Sequence, residues 1–294
     1  MPTKILVPID GSKQSYGGLV YALRSFPEEA FTTLHVIDVG REWYEGPWIS
    51  DPWEEQARQA AEKIQDQAKK WAEQYDLELE TKTTVGVPHK QILEYVVDHE
   101  IDHVVMGSHG RSPITQPFVG HVTEAIARRA PVSLSIVPEQ AGDIEARELP
   151  GRILVPVDDS DQATAALEFA LSRFPEAPIT ALHVVESPVD YSREDIEGTY
   201  VERQLEPLEK RADELLASAE ERATAHDREI RTATTHGKPG QSVIEYSSEN
   251  EFDQIVMGSH GRSGISRILL GSVAEAVAQQ SLVPVTIVRE SSNV

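Results

Sequence analysis

The chain contains no cysteine among its 294 residues. This absence excludes disulfide bonds, thiolate metal sites and cysteine nucleophiles, and it agrees with a cytoplasmic protein. The sequence also lacks any apolar run near the roughly 18 residues that a membrane span needs. Residues 1–10 contain two prolines and no signal-peptide cleavage site, so they predict a first strand rather than a targeting segment.

Basic residues are scarce, and lysine is scarcer than arginine. Acidic side chains outnumber basic ones 49 to 27, which gives a net charge of −22. Such a chain repels nucleic acid and anionic lipid, so we expect neither a nucleic acid nor a membrane as a partner. Acids spread along the whole chain indicate a halophilic protein that lives in molar salt, where the Debye length is about 3 Å. An acidic protein from ordinary salt is the alternative interpretation.

An internal repeat organises the chain. Three segments of the first half return in the second, namely 4–10 at 152–158, 34–36 at 182–184 and 105–112 at 256–263. The spacing is 148 positions for the first two and 151 for the third, so three residues were gained or lost between Val36 and Gly86. Self-similarity of this kind predicts two copies of one domain, at 1–140 and 150–294, joined by a short polar seam.

Short apolar runs and helical patterns alternate within each copy. In the first copy the predicted strands are 5–9, 32–37, 77–85, 103–106 and 132–137, and the predicted helices are 12–25, 53–75, 91–99 and a segment ending near 129. Alternation of this kind predicts parallel strands with helices on both faces, as in two tandem Rossmann-like α/β domains. In such sheets, ligands bind beyond the carboxyl ends of the strands where the strand order reverses.

A glycine-rich loop follows a predicted strand of the second copy. Gly258 and Gly261 lie three positions apart, and Gly271 comes ten positions after Gly261, directly before Ser272. Positions without side chains let backbone N–H groups approach phosphate oxygens, and a helix starting after Gly271 adds unpaired donors. The pattern therefore favours a phosphate-binding loop, although it lacks the lysine of the P-loop.

Two ordinary interpretations of this loop stay open. Glycines after a strand can simply form a turn. Ser272 and Glu275 also fit a capping box, which would occupy the serine hydroxyl without any ligand. Arg262 and Arg267 lie within the loop and are candidate cationic clamps for phosphate.

Both copies resemble the universal stress protein family, and the resemblance covers almost the whole chain. It is carried by Leu-Val-Pro-x-Asp after the first strand, Leu-His-Val on the second, Gly-x-Pro before the third helix, and Met-Gly-Ser-His-Gly-Arg in the glycine loop. The resemblance implies a five-stranded parallel sheet in each domain and an ATP-dependent stress-response or signalling module. It also implies that adenine lies near the end of the second strand, with the phosphates on the glycine loop.

The implied site lies in the second domain. Carried over by position, its residues are Pro156, Asp158, Val184, Met257, Gly258, His260, Gly261, Arg262, Gly271, Ser272 and Val273. The resemblance also implies Mg²⁺ held by Asp158, because a carboxylate beside a triphosphate is otherwise repelled.

The first copy departs from the pattern. Ser272 is replaced by His121, and Pro113 and Pro117 enter the loop. Proline removes backbone donors and histidine fills space, so we expect the first site to bind nucleotide weakly or not at all. The opposite interpretation, that a protonated His121 attracts phosphate, stays open.

No Ser-His-Asp signature and no metal-ligand spacing such as HExxH occurs in the sequence. We therefore expect a nucleotide-binding module with slow or absent ATP hydrolysis. The alternatives are a metal-dependent enzyme that cleaves or transfers from ATP through Asp158, and an interaction scaffold that binds no nucleotide.

Two further features concern partners. Three of the four tryptophans fall in the segment 41–53, which either packs over a neighbouring domain or forms a partner site. The last strands of the copies, near 132–137 and 285–288, are predicted sheet edges. Because family members commonly dimerise through this strand, the two copies are expected to pair with each other around a pseudo-twofold axis, and a further homodimer is open.

Overall fold

The structure is a computed structural model that describes residues 2–38, 52–109, 120–139, 144, 149–186, 199–261 and 270–289. The chain divides into two compact units between Leu149 and Pro150. The tryptophan-rich segment 41–53 lies almost entirely outside the described residues, as do Arg262, Arg267, Pro113 and Pro117.

The first unit is an alternating α/β domain. Its elements are β1 (Lys4–Pro8), α1 (Lys13–Ser25), β2 (Ala30–Ile37), α2 (Pro52–Gln74), β3 (Leu79–Val85), α3 (Pro88–Asp98), β4 (His103–Gly107), α4 (His121–Arg129) and β5 (Ser133–Val137). The strands are parallel and lie in the order β3-β2-β1-β4-β5. The strand order therefore reverses between β1 and β4.

The second unit repeats this plan. Its elements are β6 (Ile153–Pro156), α5 (Asp161–Arg173), β7 (Ile179–Val185), α6 (Thr199–Ala225), β8 (Arg231–His236), α7 (Pro239–Glu249), β9 (Gln254–Gly258), α8 (Ser272–Gln280) and β10 (Val285–Val288). The strands are parallel in the order β10-β9-β6-β7-β8, so the order reverses between β6 and β9. The predicted fold class of two tandem α/β domains with five-stranded parallel sheets is confirmed.

The burial of the strands follows from this layering. Strands β4, β5, β9 and β10 are buried along their whole length, which is typical of parallel strands covered by helices. The polar strands β3 and β8 lie at one end of each sheet and are only partly covered. Among the described helices, none combines the length and the apolarity that crossing a membrane requires.

The helix ends also follow from the sequence. Ser12 and Ser160 cap α1 and α5, and each side chain accepts a hydrogen bond of 3.1 Å from a backbone N–H three residues on. Four exposed acidic residues just beyond α2, α3, α6 and α7 have left-handed backbone angles, with φ between 51° and 56°. They are Asp76, Glu100, Asp227 and Glu251.

Candidate functional site

A cavity of about 1060 Å³ opens in the second unit, over the carboxyl ends of its strands. It lies at the point where the strand order reverses, which is where ligands bind in open α/β sheets. Every predicted site residue that the structure describes lines this cavity: Pro156, Asp158, Val184, Met257, Gly258, His260, Gly261, Gly271, Ser272 and Val273. The remaining one, Arg262, falls outside the described residues.

The packing of the unit leaves little room for side chains at the three loop glycines, most strictly at Gly258. A Cβ atom on Gly258 would lie 2.7 Å from the backbone of Gln162 in α5, and one on Gly261 would lie 2.9 Å from Oδ2 of Asp158. Gly271 donates a backbone hydrogen bond of 2.8 Å to the carbonyl of Ser259. At these described positions the chain after β9 packs tightly against α5 and against Asp158.

Helix α8 opens at the cavity without a side-chain cap. Gly271 is the N-cap residue with φ −67° and ψ 153°, so Ser272 occupies the first helical position. The capping-box interpretation is therefore wrong, because a capping box needs the serine at the N-cap. The Ser272 hydroxyl is exposed and has no hydrogen-bond partner within the described part of the chain. An open helix start with a free hydroxyl is suited to an anion.

Asp158 links the β6 loop to the glycine loop. Its Oδ1 accepts a hydrogen bond of 3.0 Å from the backbone N–H of Ser160 and a second bond from the Ser160 hydroxyl. Its Oδ2 faces Gly261. One carboxylate oxygen is thus fixed by α5 while the other remains available at the cavity. No cluster of three potential metal ligands occurs among the described residues, so a cation here would need oxygen atoms from its ligand as well.

The histidines at the site are uncharged or structural. The Nδ1 atom of His183 lies 2.9 Å from the carbonyl of Val157 in a buried contact, which agrees with the structural role that is usual for a histidine on a strand. His260 contacts the Ser259 hydroxyl through Nδ1 at 3.1 Å, and its buried Nε2 has no partner among the described residues. Burial, followed by the charge of Arg289, lowers the pKa of His260 below the usual 6.5. His260 is therefore harder to protonate than an exposed histidine.

Four residues that line the cavity were not among the site residues predicted from the sequence. Leu208 and Arg211 of α6, Lys238 before α7, and Gly240 of α7 all line the cavity. Lys238 is the variable residue of the Gly-x-Pro motif, and its place in that motif is the one sequence feature that could have identified it as a site residue. The others reach the site only because the helices fold over it.

The family assignment rests on both halves of the chain. A family model described as the Universal stress protein family matches residues 1–138 and 150–289. The chain belongs to the Universal stress protein family. The family predicted from the motifs is therefore confirmed.

The similar proteins include some of the same tandem length and some that match one half of the chain. One from Mycobacterium tuberculosis is 26% identical over 300 residues, covering 98% of this chain and 97% of the relative. One from Methanocaldococcus jannaschii is 33% identical over 142 residues, covering 47% of this chain and 82% of the relative. A solved universal stress protein from Archaeoglobus fulgidus has a TM-score of 0.66 at 23% identity, covering 97% of this chain and 98% of that chain. The last comparison supports the fold.

The first unit of this universal stress protein keeps the loop scaffold and changes the side chains. A Cβ atom on Gly107 would lie 2.5 Å from the Gln14 carbonyl, and the backbone N–H of Gly120 donates a hydrogen bond of 2.7 Å to the Ser108 carbonyl, so the described ends of the loop are held as in the second unit. His121 occupies the first position of α4, where the second unit has Ser272. His89 stands in α3 at the position of Gly240.

Proposed function

We propose that the second unit binds an adenine nucleotide, with ATP as the leading candidate. The observation that supports this most directly is the uncapped start of α8, where the free Ser272 hydroxyl meets the cavity. Backbone N–H groups in the first turn of a helix have no intrahelical partner, and the helix dipole favours negative charge there. A triphosphate supplies that charge.

The rest of the cavity suits a nucleoside. The lining near β7 includes the apolar side chains of Leu182, Val184 and Val185, and Val243 faces it from α7. Apolar walls of this kind accommodate a base, while a few polar groups fix its orientation. The volume of about 1060 Å³ is at the upper end of the range for small-molecule pockets. We infer that the base lies towards β7 and the phosphates towards β9.

Mg²⁺ is part of this proposal. The Oδ2 atom of Asp158 faces the glycine loop while Oδ1 is held by Ser160. A carboxylate oxygen beside phosphate oxygens forms the kind of incomplete oxygen set that Mg²⁺ completes with water. When bound, the ion would neutralise charge between Asp158 and the phosphates.

In the cell, the bound nucleotide would set the conformation or the partners of a stress-response module. The pairing of the two units through β5 and β10, and a further homodimer, stay predictions. The first unit would bind nucleotide weakly or not at all, because His121 and His89 place bulk where the second unit has serine and glycine.

Titration calorimetry of MgATP in molar KCl tests the proposal. We expect a stoichiometry near one for the unchanged protein. Ser272→Ala should weaken binding roughly 10- to 100-fold, as expected for the loss of one charge-assisted hydrogen bond. His121→Ala is the matched control, since it changes the corresponding helix position in the first unit and should leave the affinity unchanged.

The outcomes separate the alternatives. Equal binding in both units would disprove the assignment to the second unit alone. An absence of heat, with no nucleotide released by acid extraction, would reject nucleotide binding and favour an interaction scaffold. Nucleotide released by extraction would mean that the site was already occupied.

A further inference from the structure

Arg211 of α6 reaches across to the loop that follows β6. Its guanidinium forms an ion pair with Oδ2 of Asp159, the neighbour of Asp158, and it also lines the cavity. The side chains of Arg211 and Asp159 remain 54% and 32% exposed, so water and salt weaken this pair. The arginine is thus held beside the proposed nucleotide site by a contact that is easily exchanged.

The first unit lacks both members of this ion pair. The ends of α2 and α6 correspond at a spacing of 151 residues. The backbone N–H of Leu77 donates to the carbonyl of Ala72, and in the same way that of Arg228 donates to the carbonyl of Ala223. Arg211 therefore corresponds to Ala60, and Asp159, at a spacing of 148, corresponds to Gly11. The arginine is a feature of the unit whose cavity carries the intact glycine loop.

Two described cations line the cavity of the second unit. Of the described residues lining the cavity, Arg211 and Lys238 are the Lys and Arg side chains. Asp159, which holds Arg211, follows β6, and β6 pairs directly with β9. Lys238 follows β8 and precedes α7, which packs against α8 where Gly240 approaches Ala276. Both cations therefore border the cavity, and Arg211 is the one that an ion pair holds next to Asp158.

We propose that Arg211 binds the phosphate chain of the nucleotide and determines how many phosphates the second-unit site prefers. The inference rests on the proposed nucleotide binding. A planar guanidinium pairs with phosphate oxygens as well as with a carboxylate, and a di- or triphosphate carries more negative charge than the single carboxylate of Asp159. On binding, Arg211 exchanges Asp159 for phosphate.

The selectivity follows from this exchange. A nucleotide with two or three phosphates gains the arginine contact and offsets the loss of the ion pair. Adenosine has no phosphate with which to gain it. Arg211 is thus a specificity-determining residue that favours ATP and ADP over adenosine. Asp159 competes with phosphate for Arg211 and so lowers the affinity that the phosphate contact adds.

The test compares the affinities of adenosine, AMP, ADP and ATP by titration calorimetry at low and molar KCl. Arg211→Gln should weaken ATP roughly tenfold and leave adenosine within about twofold, as expected for one partly screened charged contact. Asp159→Asn should strengthen ATP binding severalfold because it removes the competitor. Arg222→Gln is the matched control, since Arg222 lies on the same helix in an exposed ion pair with Glu168; it should change no affinity.

Thermal unfolding of each variant shows that the fold is kept, and Arg211→Lys, which retains the charge, should lose less ATP affinity than Arg211→Gln. If Arg211→Gln weakens all four ligands equally, or none of them, Arg211 does not recognise phosphate and the inference fails while nucleotide binding stands. If none of the ligands binds the unchanged protein, and acid extraction releases no nucleotide, the proposed function fails together with the inference.

Discussion

The Oδ2 atom of Asp158 lies 2.9 Å from the position that a Cβ atom would occupy on Gly261. Because a real Cβ atom cannot approach so closely, one of the two would have to move. The carboxylate oxygen is the end of a side chain, whereas a shift of residue 261 would move the backbone. The carboxylate therefore moves more easily. The identity of residue 261 therefore controls the position of the one Asp158 oxygen that faces the cavity.

Gly261→Ala should lower nucleotide affinity with little loss of stability. The new methyl group displaces the Asp158 carboxylate from the position proposed for Mg²⁺, and we expect MgATP to bind about tenfold more weakly, as for one lost charged contact. Calorimetry with and without Mg²⁺ measures the effect.

Gly258→Ala is the contrasting variant, since its Cβ would lie 2.7 Å from the backbone of Gln162. Overpacking against backbone should lower the free energy of unfolding by about 1–3 kcal/mol. Equal effects of the two variants on stability would contradict this distinction.

Gly240→His should close the second-unit cavity. A Cβ atom on Gly240 would lie 3.1 Å from that of Ala276, and the larger ring must then extend along the cavity wall. His89 already occupies the corresponding position of α3, so the helix itself tolerates the side chain. We expect ATP affinity to fall at least roughly tenfold, since overpacking costs about 1–3 kcal/mol. Ser248→His, on the exposed side of the same helix, is the control. Unchanged ATP binding by Gly240→His would show that the ligand does not use this wall.

His260 should make the stability of the second unit depend on pH. Burial, with a smaller effect of Arg289, holds its folded-state pKa below 6.5, so the unfolded chain takes up a proton first as the pH falls. This lowers the free energy of unfolding below about pH 6.5. His260→Gln removes that dependence. Urea titrations across this pH range should show the wild-type protein losing stability relative to the variant as the pH falls. A difference that is constant across the range would contradict the argument.

Salt should stabilise the whole chain. With a net charge of −22, self-repulsion opposes the compact state until ions screen it. We expect the melting temperature to rise steadily from low to molar KCl, as the halophile interpretation requires. Sorbitol at equal osmolality controls for solvent effects unrelated to charge. A melting temperature that does not respond to KCl, or that falls, would favour the alternative of an acidic protein from ordinary salt.

Much of the fold could be predicted because the sequence states it twice. The repeated segments placed the strands, since buried parallel strands appear in a sequence as short apolar runs between glycines and helical patterns. The carboxyl ends of those strands then lay at one edge, which brought Asp158, Val184 and Gly258 into one cavity. The departure of the first unit at His121 was equally visible.

The remaining parts of the site depend on geometry that local patterns do not encode. Ser272 and Glu275 satisfy the spacing of a capping box, but Gly271 is the N-cap, at a position where a Cβ atom would lie 3.2 Å from the Cα of His260. Leu208 and Arg211 line the cavity because α6 extends over it, and helical periodicity alone does not fix where a helix end lies. Residues that contact a site across the fold cannot be found from spacing along the chain.

The acidic residues at the four left-handed helix ends combine surface charge with an unfavourable backbone conformation. At Asp76, Glu100, Asp227 and Glu251, φ is between 51° and 56°, a conformation in which glycine avoids a penalty of order 1 kcal/mol. Each also places negative charge at the negative end of a helix dipole. The same residue types at matching positions of both units therefore keep surface charge at the cost of an unfavourable backbone conformation. Replacing any one of the four by glycine would relieve the backbone and remove one negative charge, and none of them lines the cavity.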